Sequence, residues 1–160
     1  MLKSRISNVT NPPVDLAAFK AYIGGVNHTL QDDIIQRHLD AATIWASKKS
    51  NIPAADFDVE LTQDKATLSQ CLLFDNITIT TVKDLLTGDE ISYDTNAKNS
   101  VINTEVNYQL LVNYSCTAVS NPVLSDAILN YAVFLYSGQT DKDAEMRIIR
   151  DLQTIQSEIF

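Results

Sequence analysis

The spacing of apolar residues changes period twice along the chain, and the changes mark out its elements. Leu16, Phe19 and Ile23 recur at helical intervals between Pro12-Pro13 and Gly24-Gly25, which predicts a short first helix over about 14–23. A second helix is expected to follow. Thr29 can cap it, Asp32 and Asp33 suit its positive end, Lys48 and Lys49 suit its negative end, and Pro53 forbids continuation. Ile34, His38, Ala41 and Trp45 form one stripe of this helix and Ile35, Leu39 and Ala42 the next, so a broad buried face is expected.

From Phe57 the period falls to 2. Phe57, Val59 and Leu61 alternate with polar residues, and Cys71–Phe74 and Ile77–Leu86 read as further strands. Thr87, Gly88, Asp89 and Glu90 form a hairpin turn into Ile91–Tyr93. The clearest strand comes last. Val106, Tyr108, Leu110, Val112, Tyr114 and Cys116 point one way and Glu105, Asn107, Gln109, Asn113 and Ser115 the other, with Leu111 the apolar exception on the wet face.

The helical period then returns. Asn121-Pro122 combines a cap with a favoured first residue, and the helix should run to Ser137 before Gly138. Its apolar residues wrap most of its circumference, as in a helix enclosed on several sides. Thr140 can cap a fourth helix with Asp141, Asp143 and Glu145 in its first turn and Ile148, Leu152, Ile155 and Ile159 along a narrow seam that reaches Phe160.

The expected architecture is α+β: an N-terminal arm (1–13), two N-terminal helices (14–50), an antiparallel β-sheet and hairpin segment (56–117), and two C-terminal helices (121–160). At 160 residues one domain suffices, and a core is available without staples.

Charge narrows the partners. The formal net charge is −8, and residues 56–105 hold ten carboxylates against Lys65, Lys83 and Lys98. Gripping nucleic acid needs clustered cations that displace counterions, and this segment offers the reverse. Duplex DNA could pass such a surface without sticking. The most apolar run, Val123–Tyr136, is shorter than a membrane span and carries Asp126, so no membrane role is expected. Cys71 and Cys116 have no CxxC spacing, and no secretory leader pattern precedes them, which favours a reducing cytoplasmic setting and leaves the four N-x-S/T sequons without a route to a glycan.

No catalytic, cofactor-binding or metal-binding residue emerges. The chain has no Gly-rich phosphate loop, nucleophile elbow, HExxH or EF-hand loop. The acid pairs Asp32/Asp33 and Asp141/Asp143 sit at predicted helix N-termini, where the dipole alone explains them. Asp56 and Asp58 share a strand face that could take a cation but reads first as a solvated edge. His38 lies on an apolar stripe, where a core or interface imidazole is the plain reading, and His28 belongs to a loop. Cys71 and Cys116 could meet on adjacent strands, although buried free thiols are the default.

Several strings, in order, resemble a known family. They are Leu30–Ile35 through Leu39–Ala42, then Ile77–Lys83 with the acidic hairpin, then Tyr108–Tyr114 leading to Asn121-Pro122-Val123 and Ala127-Ile128 through Tyr136. Over residues 14–137 the chain resembles the head-tail connector (head-completion, adaptor) proteins of tailed bacteriophages. That resemblance implies a non-catalytic homo-oligomer, a dodecameric ring in the virion neck, made in the bacterial host cytoplasm. The ring would be stacked between the portal protein and a downstream neck or tail protein, and DNA would pass through it without specific binding. In such a ring the acidic hairpin residues Asp89, Glu90 and Asp94 are expected to face the channel, and the seam of Ile148, Leu152, Ile155, Ile159 and Phe160 to meet helix one or two of the next copy. The competing readings are another tail-completion or interaction module and a small enzyme.

Overall fold

The computed structural model describes residues 1–24, 31–75, 77–138 and 142–159, the stretch 155–159 as backbone alone. Nine elements follow in order: β1 (Leu2–Thr10), α1 (Leu16–Tyr22), α2 (Asp32–Ser50), β2 (Asp56–Cys71), β3 (Thr78–Asp84), β4 (Asp94–Thr95), β5 (Val101–Cys116), α3 (Pro122–Tyr136) and α4 (Lys142–Ile159). They fall into two units, one of Met1–Thr10 with Asp56–Thr117, the other of Asn11–Ala55 with Ala118–Phe160.

The class is α+β, but the helices are not an N-terminal pair and a C-terminal pair around a sheet. The chain opens with a strand, and the four helices among the described residues gather in one unit. The expected arm 1–13 therefore begins as β1. Its apolar residues are only Leu2, Ile6 and Val9, and none is fully buried, so it carries little of the alternation by which a strand announces itself.

In the sheet unit the strand order is β1-β2-β5-β3 with β4 beside β5, and every pairing is antiparallel. Rows run straight across it: Ser4, Leu61, Val112 and Val82 share one row, and Ile6, Val59, Tyr114 and Ile79 another. Residues in register point to the same face, and on this face Leu61, Val112, Val82, Val59 and Tyr114 are buried. The alternate rows, such as Arg5–Glu60–Asn113–Thr81, make the wetter face.

Two expectations for the sheet fail. Phe57–Leu61 and Cys71–Phe74 are not separate strands. β2 is continuous over 16 residues, and Leu72–Asp75 leave it as a loop whose Phe74 packs on Phe57 with ring centroids 5.5 Å apart. Ile91–Tyr93 form no strand, although Glu90 bridges Lys83. β5 begins at Val101, earlier than its alternation suggested, and Val106 is 57% exposed instead of facing the core. The β2–β5 register slips between Gln63, Thr67 and Ser69, and Val106 stands without a ladder partner beside that slip.

In the helical unit α2 packs against α1, α3 and α4, and α3 against α4. Asp15 caps α1, accepting from the Ala18 N–H at 2.7 Å, and Asn121 caps α3, accepting from the Val123 N–H at 2.9 Å. The proposed caps Thr29 and Thr140 lie outside the described residues. So does His28. α2 starts at Asp32, whose Oδ1 pairs with Lys20 Nζ from α1. The core joins Val14 and Phe19, then Ile35, Leu39, Ala42 and Ala46 of α2, then Leu124, Ala127, Ile128 and Ala132 of α3, and Ile148 and Leu152 of α4.

The first predicted stripe of α2 lies at the edge of this core, with Ile34 half exposed and Ala41 exposed. Polar residues fill part of the buried face in its place. Thr43, Ser47 and Ser50 each donate a hydroxyl at 2.8 Å to the carbonyl four residues back, and Ser47 Oγ also accepts from the Ala54 N–H at 2.9 Å. That last bond ties the turn after α2 back onto the helix.

Candidate assembly surface

The acidic hairpin is a defined turn. Gly88, at φ +79°, donates its N–H to the Asp84 carbonyl at 2.8 Å, and the Asp84 N–H reaches the Asp89 carbonyl at 2.9 Å. Asp84 Oδ1 accepts from the Leu86 N–H at 3.1 Å, Thr87 Oγ1 accepts from the Asp89 N–H at 3.2 Å, and the Ile91 N–H returns to the Val82 carbonyl at 3.0 Å. These bonds tie down the backbone and leave the side chains of Leu86, Asp89 and Glu90 facing solvent. Asp94, on β4, is also exposed. The three acids singled out in the sequence thus sit on exposed backbone of the sheet unit.

The seam of α4 divides. Ile148 and Leu152 are 8% and 0% exposed and belong to the core of the helical unit, so this half of the expected interface is already occupied within the chain. An apolar stripe three to four residues in period looks the same in sequence whether its partner is another helix of the same chain or a second copy. The side chains of Ile155 and Ile159, and Phe160 entirely, lie outside the described residues. On the outward side of α4, Met146 is exposed.

The side chains with chemical potential have structural partners. His38 meets Tyr136 edge-on with ring centroids 6.4 Å apart, and Trp45 stacks on Tyr131 at 3.8 Å. Burial raises the Tyr131 pKa, with the Glu145 charge adding to it. Asp58 accepts from Asn8 Nδ2 at 2.8 Å. Cys71 pairs with Val101 and Cys116 with Phe57 in the β2–β5 ladder, the first thiol exposed and the second buried. Burial, with the Asp58 charge second, pushes the Cys116 thiol up to about 12. Burial likewise raises the Tyr114 phenol, whose oxygen accepts from the Leu73 N–H at 3.3 Å.

Two shallow hollows are lined by mixed side chains. One of about 550 Å³ lies in the helical unit, bordered by Tyr22, Asp126, Asn130 and Asp151, with the Tyr22 hydroxyl donating to Asn130 Oδ1 at 2.9 Å. The other, of about 470 Å³, lies on the sheet between Arg5, Asp58, Glu60 and Asn113. Among the described residues no group of three or more His, Cys, Asp or Glu side chains could hold a metal ion.

No protein-family model matches the chain, and no curated protein matches it. Solved structures do. One is a chain of the "Neck of empty GTA particle computed with C6 symmetry", 14% identical, covering 92% of this chain and 94% of that one with a TM-score of 0.57. Another belongs to the "Virion of native gene transfer agent (GTA) particle", 15% identical, covering 91% and 93% with a TM-score of 0.51. At such identities what is shared is the fold, and it is shared over nearly the full length of both chains: this protein has the fold of a chain found in gene transfer agent particles.

Proposed function

We propose that this protein is a structural component of a phage-like neck, assembling as a ring that joins the capsid portal to the tail and lets DNA pass. The observation that carries the reading is the end-to-end likeness of fold to a chain from the neck of a gene transfer agent particle. That neck was computed with C6 symmetry, with which a dodecamer is compatible. The concentration of carboxylates between residues 56 and 105 supports a lumen that repels the duplex, and Asp94 is the exposed acid we place there. The partners follow from the position: portal protein above, the next neck or tail protein below.

Electron microscopy of the purified chain, alone and mixed with the portal protein of its own particle, tests this. Rings seated on the portal are expected. A chain that remains monomeric in both samples refutes the reading.

A further inference from the structure

A ring made of one kind of chain needs two different patches, one on each flank, that fit each other. Cyclic symmetry carries a patch around the axis without changing its height, so the two must also lie level. The sheet unit supplies such a pair. At one edge β1 presents Leu2, 47% exposed, with Lys3 and Arg5 exposed beside it and no carboxylate on the strand. At the other edge the turn after β3 presents Leu86, 74% exposed, followed by exposed Asp89 and Glu90.

The register puts these patches at the two ends of one row across the sheet, which is level in a ring whose axis stands perpendicular to that row. Lys3 pairs with Thr62, Thr62 with Leu111, Leu111 with Lys83, and Lys83 with Glu90, so a cation and an anion end the same row. The neighbouring row runs from Leu2 through Gln63 and Leu110 to Asp84, the residue that starts the turn. No strand pairs with the outer edge of β1 among the described residues. Cations on such an edge discourage indiscriminate strand addition while leaving it open to an acidic partner. The turn is already fixed by its own hydrogen bonds, so docking it orders little backbone.

From this we infer that Leu2, Lys3 and Arg5 of one copy receive Leu86, Asp89 and Glu90 of a second copy of this chain. The inference rests on the ring reading above and assigns Asp89 and Glu90 to the flank between subunits instead of the channel. Strand twist of about 20–25° per step turns the two edges by roughly 80–100° across the row, so the contact is one of side chains and does not extend the sheet. Lys3 also reaches Asp64 of its own chain at 3.6 Å, an exposed pair that is readily exchanged.

Ring assembly of the full chain with portal protein, followed by sedimentation velocity and electron microscopy, tests the contact with four variants: Leu86→Ser, Lys3→Glu/Arg5→Glu, Asp89→Lys/Glu90→Lys, and the two charge reversals combined. All the altered side chains are exposed, so unchanged circular dichroism melts should accompany each variant. The first three should raise the concentration for half-assembly by about tenfold or more, and the combined reversal should recover most of that loss. Wild-type rings that persist unchanged in Leu86→Ser and Lys3→Glu/Arg5→Glu overturn this contact and leave the ring reading standing, as does a combined reversal that assembles no better than its parents. A wild-type chain that never forms rings removes both.

Discussion

Leu152 separates a helix seam that holds the subunit together from one that holds subunits to each other. It is fully buried in a core shared with α2 and α3. Leu152→Ala removes about three carbons, worth about 2.4 kcal/mol of transfer free energy at about 0.8 kcal/mol each. A residual cavity adds to this, and buried Leu→Ala changes span about 2.7–5.0 kcal/mol, so a loss of about 3–4 kcal/mol is expected. For a chain of this length that lowers Tm by about 6–16 °C, at about 2–4 °C per kcal/mol. Urea unfolding followed by the fluorescence of Trp45, which stacks on Tyr131 in the same unit, reads the effect where it occurs. The midpoint should fall by the same amount at low and high protein concentration, because the contact is intramolecular. A variant that unfolds like the wild type as a monomer but fails to assemble would refute the reasoning and return the seam to the subunit interface.

Four further outcomes follow. Ser47→Ala strips the Ala54 N–H of its acceptor and should cost about 1–3 kcal/mol in urea unfolding, with a cost below half a kcal/mol counting against that bond. Asn121→Ala removes the α3 cap and should cost about 1 kcal/mol, whereas Asn121→Asp should be close to neutral. The Cys116 thiol has its pKa raised from 9.0 to about 12 in the folded chain, so its contribution to stability is complete below 9.0 and is lost as pH climbs through about 12. Unfolding midpoints should decline across that window and decline less in Cys116→Ala; at pH 8 a thiol reagent should label the exposed Cys71 and spare Cys116, as mass spectrometry would show. Asp94→Asn should assemble normally and slow DNA release from the particle, and an unchanged release rate would count against Asp94 in the channel.

Sequence alone determined the elements whose signals are local. Asn121-Pro122 starts α3 by a cap and a fixed φ, and Gly88 makes the turn by its positive φ; neither needs a distant partner. Leu110, Val112, Tyr114 and Cys116 alternate because one face of β5 is buried, and that period is written in the chain. The concentration of acids in the middle of the chain is likewise a property of the sequence.

Tertiary structure decided everything that depends on a partner. β1 is a strand because β2 offers it a ladder, and its polar, largely exposed residues give no period of their own. The burial of Thr43, Ser47 and Ser50 is tolerated because each hydroxyl returns to its own helix, a bond that hydropathy cannot register. Ile148 and Leu152 turn inward because α2 and α3 are there to cover them. The placement of Lys3 and Glu90 on one row exists only through four successive pairings. Side-chain period reports that a face is apolar; which surface covers it, and at what height an edge meets its neighbour, is fixed when the strands and helices pack.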